Sequence, residues 1–139
     1  MANEAVLVFK TSEPIPFTVA NGTGIEKGTI LKMTDPFTAV YANAVDQIVA
    51  GIAASEKIAS DGKVKLGVFR GGIFKVKASG AVTVGDPLST DITNLIYSSV
   101  GTANLSGSKI IGIALETAAD TETFLMDLRP SVQTENTLS

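Results

Sequence analysis

Short stretches rich in β-branched residues, separated by glycine or proline, run through this 139-residue sequence. Valine, isoleucine and threonine together contribute 40 residues, and these side chains pack better on a pleated sheet than in a helix. Thirteen glycines and five prolines recur at short intervals, which is typical of sandwiches and barrels. The pattern therefore predicts a mainly β fold: a single compact antiparallel domain resembling a barrel or sandwich.

Alternation of apolar and polar residues between these breakers predicts nine strands and two short helices. We expect the strands at 5–10, 15–20, 28–33, 48–53, 63–69, 73–78, 95–98, 110–116 and 123–129, and the helices at 38–46 and 54–59. No linker or charge block divides the chain. We therefore predict one β domain over residues 1–129 and a polar C-terminal tail over residues 130–139.

Two glycine-centred motifs occur twice. GTIL at 28–31 is echoed by GDPL at 85–88, and GIA at 51–53 recurs at 112–114. In both halves the second motif is followed by a glutamate and then by an alternating strand. A duplicated half-barrel, with the two halves sharing one core, would produce this order. The alternative is that similar turns demand similar glycines by chance.

The residue types that most often carry catalysis are missing. Cysteine and histidine are absent, which removes the thiolate nucleophile, the commonest general base and the commonest metal ligands. The stretch 22–29 has Lys-Gly-Thr where a P-loop needs Gly-Lys-Ser/Thr, and carboxylates such as Asp120 and Glu122 form no tight acidic loop. We therefore expect no enzyme activity, no catalytic or metal site and no cofactor.

Charge and hydropathy limit the expected partners. A formal charge of −3 and a pI near 4.8 oppose a protein devoted to coating nucleic acid. No apolar run approaches the ~20 residues that a membrane-spanning helix needs, and the Met-Ala-Asn-Glu start does not resemble a signal peptide. Neither a nucleic acid nor a membrane is therefore an expected partner.

Six of the eleven lysines and arginines lie between positions 57 and 77, with Asp61 as the one acid among them. A three-residue loop at 70–72 would pair strands 63–69 and 73–78 as a hairpin with one apolar face and one lysine face. The apolar face would contain Val64, Leu66, Val68, Phe74, Val76 and Ala78, and the lysine face Lys63, Lys65, Lys75 and Lys77.

In this hairpin Lys65 lies opposite Lys77, and such a like-charged pair is repulsive. Together with Phe69 and Ile73 exposed beside the loop, it leaves contact with an acidic partner open as an interpretation. A face that is merely solvated is the alternative. The predicted partner-binding residues are Lys63, Lys65, Phe69, Arg70, Ile73, Lys75 and Lys77.

Several runs resemble the tailed-phage capsid decoration, or cement, proteins, a family once filed as a domain of unknown function. The runs are AVLVFK (5–10), IPFTVA (15–20), IEKGTILK (25–32), GIAASEK (51–57), GGIF (71–74) and ALETAA (114–119). The resemblance extends from residue 4 to about 129 and consists of turn and strand patterns. The label of RecA-like recombinase sometimes given to this family has no support here, because such an ATPase needs the P-loop that is missing.

The resemblance implies a small β protein that binds the outer surface of the capsid in a virion, commonly as a homotrimer, and stabilises the shell through its contacts with the major capsid protein. Multivalent attachment would then turn modest contacts into tight binding. Two other kinds of structural or binding protein remain as alternatives: a head-fibre base, and a nucleic-acid-binding β domain that uses the lysine-rich hairpin. A carboxylate-dependent hydrolase is a further alternative and would need a deep pocket with two converging acids.

Overall fold

Strands dominate the computed structural model, which describes residues 3–44, 47–100 and 109–132. The eleven strands of these residues are β1 (Val6–Phe9), β2 (Ile15–Thr18), β3 (Ile30–Asp35), β4 (Thr38–Tyr41), β5 (Val49–Ala53), β6 (Lys65–Phe69), β7 (Gly72–Lys77), β8 (Pro87–Thr90), β9 (Ile96–Ser98), β10 (Lys109–Ala114) and β11 (Thr123–Val132). A single 3-10 turn, Ile92–Asn94, separates β8 from β9 in the described part of the chain. The predicted mainly β class is confirmed.

Five strands close into a barrel in the order β2-β4-β3-β5-β6. Its neighbouring strands are antiparallel except at the closure, where β2 and β4 run parallel and Thr18 pairs with Thr38. Inward-facing side chains fill the barrel because alternate residues of each strand point to the same side. This inner core contains Phe17, Val19, Ile25, Leu31, Ala39, Ala50, Ala53, Leu66 and Val68.

The remaining strands form a six-stranded antiparallel sheet in the order β1-β7-β11-β10-β8-β9. A parallel bridge between Ala78 and Ile96 brings the end of β7 to the start of β9. The buried side of this sheet packs against the barrel, so the second core contains residues of both halves. Examples from the barrel are Ile30 and Ile52, and from the sheet Phe74.

Equivalent positions of the two halves form the same main-chain hydrogen bonds, which confirms the predicted duplication. The N–H of Gly28 donates to the carbonyl of Ala53 (3.0 Å), as that of Gly85 does to Ala114 (2.8 Å). Both glycines have a positive φ, +85° and +90°, which glycine adopts without strain. The halves share one core, as predicted, and the barrel also encloses a separate core of its own.

All nine predicted strands are present, and two strands were missed. The segment 38–46 was predicted to be helical, but its first residues form β4, and residues 45–46 lie outside the described residues. The segment 54–59 is not helical either, because Lys57 forms a bridge to Ile25 instead. Strand β8 was not predicted, because it has only four residues and begins at a proline, Pro87. Residues 133–139 of the predicted tail lie outside the described residues.

The predicted hairpin of β6 and β7 is wrong. Strand β6 pairs with β2 and β5 in the barrel, whereas β7 pairs with β1 and β11 in the sheet. Both edges of each strand are therefore occupied, and the chain crosses from one sheet to the other at residues 70–71. Leu66 and Val68 face the barrel interior, while Phe74, Val76 and Ala78 face the second core. Val64 is 50% exposed and faces neither.

An ion pair between a buried lysine and a partly exposed aspartate holds one loop at the end of the barrel where β2 and β5 end and β6 begins. The side chain of Lys57 is fully buried, and its Nζ donates to the carboxylate of Asp61 at 3.1 Å and to the main-chain oxygen of Asn21 at 2.7 Å. Lys57 thus stabilises the fold instead of contributing to an exposed basic surface. The N–H of Lys63 donates to the Asp61 carboxylate and lowers the pKa of Asp61. Burial raises this pKa, but Lys57 and the N–H of Ile58 lower it further by donating to the same carboxylate, so the pKa lies below its ordinary value.

Two glycines allow neighbouring strands to approach closely. A Cβ atom added at Gly112 would collide with the carbonyl oxygen of Asp127, and one added at Gly51 with that of Phe69. We therefore expect Gly112→Ala and Gly51→Ala each to lower the free energy of unfolding by about 3 kcal/mol, because backbone on the neighbouring strand cannot yield cheaply.

Urea denaturation measures this loss, and Gly22→Ala is the matched control, since nothing lies within 4 Å of a Cβ at that position. The control should remain within about 0.5 kcal/mol of the unsubstituted protein. Equal stability of the three variants would contradict the close approach of these strands.

The depressed pKa of Asp61 predicts a pH dependence of stability. A carboxyl group with a lower pKa in the folded state stabilises the protein above its unfolded pKa of about 4, and this contribution disappears as the pH falls through the folded value. The urea midpoint should therefore fall between about pH 5 and about pH 3, and it should fall less steeply in Asp61→Asn. Identical slopes for the two proteins would show that Asp61 is not held as its contacts with Lys57 and Lys63 imply.

Candidate docking surfaces

The predicted lysine face is divided between two surfaces of the molecule. Lys65 lies on β6 at the barrel wall, where its Nζ donates to the Thr18 hydroxyl at 2.8 Å. Lys75 and Lys77 lie on β7 in the other sheet, where Lys75 stands in register between Val6 of β1 and Leu125 of β11. Lys65 and Lys77 are therefore not opposite each other, and the predicted repulsion between them does not exist.

The residues around the predicted loop also differ from expectation. Phe69 is buried and packs edge-to-face against Phe74, with ring centroids 5.7 Å apart, so it is not available at the surface. Ile73 is half-buried and lies beside Asp127 of β11. Lys63 is exposed ahead of β6. Arg70 lies in the lining of an apolar pocket at one end of the barrel.

This pocket is the open end of the barrel, where β2, β4 and β5 begin and β3 and β6 end. We call it the barrel mouth. Its volume is about 370 Å³, and all but one of its lining side chains are apolar. The lining residues are Ile15, Phe17, Met33, Pro36, Phe37 and Arg70. Of these, sequence analysis identified Arg70 alone as a site residue.

Phe37 occupies an unfavourable position at the rim. It is the second residue of the two-residue turn that joins β3 to β4, and its φ of +49° is in the left-handed region, where a turn favours glycine or asparagine. A bulky residue there costs about 1–2 kcal/mol. Its ring is also 59% exposed, although one side lies against Phe17 at a centroid distance of 5.5 Å. Pro36 was the one sequence signal that could have predicted this turn.

Arg70 provides the charge of the barrel mouth. Its Nη1 donates to the main-chain oxygens of Val49 and Ala50 at 3.5 and 2.8 Å, which holds the guanidinium at the start of β5. Within residues 3–44, 47–100 and 109–132, no carboxylate pairs with Arg70, and its Nε and Nη2 groups have no acceptor. The mouth therefore combines an apolar pocket with a positive charge that has no counter-ion in the described chain.

A second exposed apolar feature is β1, which forms one edge of the six-stranded sheet. It pairs with β7 on one side, and a shift of register between Leu7 and Phe9 leaves Val8 unpaired. Val6, Val8 and Phe9 are exposed, Phe9 by 62%. Edge strands with apolar side chains are templates for contact with another chain.

A larger hollow of about 590 Å³ lies at the opposite end of the barrel, between β4 and the 3-10 turn. Thr93 and Asn94 have positive φ values there, and hydrogen bonds account for this conformation. The side chain of Asn94 accepts from the N–H of Ile30 and donates to the carbonyls of Asn3 and Gly28 at 2.7–2.9 Å. This end therefore joins the two halves.

The described residues contain no group of three or more His, Cys, Asp or Glu side chains that could hold a metal ion. Their helical content is one short turn, so no helix of the described part is long and apolar enough to cross a membrane.

Comparisons with known proteins agree with this architecture. The family model described as phage cement protein matches residues 9–129. Among solved structures, the chain resembles the head fiber gp8.5 N base in bacteriophage phi29, with a TM-score of 0.55 and 16% identity over 87% of this chain and 98% of that one. At this identity the likeness concerns the fold. Comparison with the curated proteins gives no match.

The family match covers most of the chain, including nearly all strands of both halves. It confirms the family that the sequence runs indicated, and in the structure those runs lie in turns and strands of both halves. The chain therefore belongs to the phage cement protein family and is a structural protein of the phage head.

Proposed function

We propose that this protein binds the outer surface of an assembled phage head, by contact with the major capsid protein, and stabilises the shell without catalysing a reaction. The match of the cement protein model to residues 9–129 is the observation that supports the proposal most. A rigid double β domain with exposed apolar surfaces suits such a role, because attachment to a preformed lattice needs contact area and rigidity, not a reaction centre.

We further propose that three copies act together, as the family resemblance implies. One chain of 14.4 kDa presents a small contact area, whereas a trimer would present three equivalent ones to a local threefold axis. When one subunit is bound, the others are held near their own sites, which raises their effective concentration. The exposed edge strand β1, with Val8 and Phe9, is the surface that we assign to contact between the copies.

The seven residues predicted from sequence to bind a partner are revised in this proposal. Phe69 is excluded because it is buried, and Arg70 is retained because its charge has no counter-ion among the described residues. Lys63 and Lys65 would act from the barrel, and Ile73, Lys75 and Lys77 from the sheet. Their separation means that one partner surface cannot contact all of them in the same way.

A head-fibre base is the second candidate function. The resemblance to the head fiber base of phi29 supports it, since that protein shares the fold over 98% of its analysed chain. The two functions differ in what they require beyond attachment: a fibre base must also carry a distal domain, whereas a cement protein acts by bridging the shell.

Trimer formation through β1 can be tested with one substitution at the exposed edge. We expect Phe9→Lys to remove self-association, because a lysine on an edge strand opposes pairing with another chain. Light scattering should give a mass of three chains for the unsubstituted protein and one chain of 14.4 kDa for the variant. Val84→Lys is the control, since Val84 is similarly exposed at 58% in a turn away from β1. A trimeric Phe9→Lys protein would contradict the assignment.

Attachment itself can be tested with heads assembled in the absence of this protein. Purified protein added to such heads should sediment with them to a saturating copy number, and decorated heads should retain packaged DNA at temperatures at which bare heads release it. Saturation is expected because a lattice offers a fixed number of equivalent sites. Failure of the unsubstituted protein to bind bare heads would contradict the proposed function.

A further inference from the structure

The barrel mouth has the size and composition of a pocket for a protein side chain. Its volume of about 370 Å³ lies at the lower end of the range for small ligand pockets, and its floor, Phe17, is buried within the barrel core. Ile15 and Met33 extend from the barrel wall to the opening. An apolar side chain that entered the mouth would continue the packed core of the barrel outward.

Phe37 is unfavourable for the isolated chain in two respects. Its backbone is left-handed, which asparagine or glycine would tolerate better, and much of its ring contacts water. The fold does not need this side chain, because the turn is exposed and Thr18 and Thr38 close the barrel through their backbones. A partner that covers the ring would recover the apolar area that Phe37 now exposes.

Arg70 specifies the charge of that partner. Nη1 is engaged by two carbonyls of β5, so the guanidinium is held in place. The Nε and Nη2 groups have no acceptor in the described ranges of the chain. A carboxylate is the group that a fixed guanidinium binds best, because the two planar groups can form parallel hydrogen bonds.

We propose that the barrel mouth is the docking pocket for the head shell, and that it binds an apolar side chain of the shell protein that has a carboxylate beside it. The apolar side chain packs between Phe37 and Ile15, and the carboxylate accepts hydrogen bonds from Arg70. This inference rests on the proposed function, because it identifies the surface through which the protein attaches. It assigns attachment to the barrel mouth and leaves the exposed edge of β1 for contact between copies.

The decisive variant is Phe37→Asn, because asparagine suits the left-handed backbone at this position and the fold should be retained. Its melting temperature should lie within about 5 °C of that of the unsubstituted protein. With heads assembled without this protein as the probe, we expect Phe37→Asn to bind about tenfold more weakly. Ile58→Asn is the matched control: Ile58 is 64% exposed at the opposite end of the barrel, and binding should be unchanged.

Arg70→Gln tests the carboxylate separately. We expect weaker binding to the same heads and a smaller loss of affinity with added salt, since salt screens the ion pair that the variant lacks. An unchanged dependence on salt would overturn the role of Arg70.

The outcomes distinguish this inference from the function on which it rests. If the unsubstituted protein does not bind heads, the proposed function fails. If it binds and Phe37→Asn binds within about twofold of it, the barrel mouth is not the docking pocket. If Phe37→Asn instead weakens self-association in the absence of heads, while trimers of the variant formed at high concentration still bind heads fully, the mouth accepts a second copy, and the inference is overturned.

Discussion

Strand β5 is buried along its whole length, because it separates two apolar cores. Ala50 and Ala53 fill the barrel, while Val49 and Ile52 face the core between the barrel and the six-stranded sheet. Small residues on one side allow the barrel to close around a few large side chains, and branched residues on the other side fill the wider space between the sheets. The positions of the other strands follow from this arrangement.

The barrel mouth is a consequence of the same arrangement. The start of β5 extends past the end of β6, so its carbonyls at Val49 and Ala50 are left without a strand partner there and accept from Arg70 instead. The chain then crosses to the second sheet, which buries Phe69 and leaves Arg70 at the barrel opening. The residue that links the two halves of the fold is therefore also the charged residue of the pocket.

Alternation and glycine positions were enough to predict nine strands and the duplication, and the resemblance of six sequence runs indicated the family. They could not predict which strands pair: β6 and β7 each alternate as a hairpin would, but each finds its partners elsewhere in the chain. The barrel mouth could not be predicted from sequence for the same reason, because Ile15, Phe37 and Arg70 come together only when the barrel closes. Alternation also could not predict that Lys57 is buried, because its ion pair with Asp61 depends on a loop conformation.

Electron cryomicroscopy of heads saturated with this protein tests the central claim most directly. The account predicts density for three copies on the outer surface around a local threefold axis, with Phe37 and Arg70 facing the shell and β1 between neighbouring copies. It would be contradicted by density on the inner surface of the shell, or by an outer density in which the barrel mouth faces solvent.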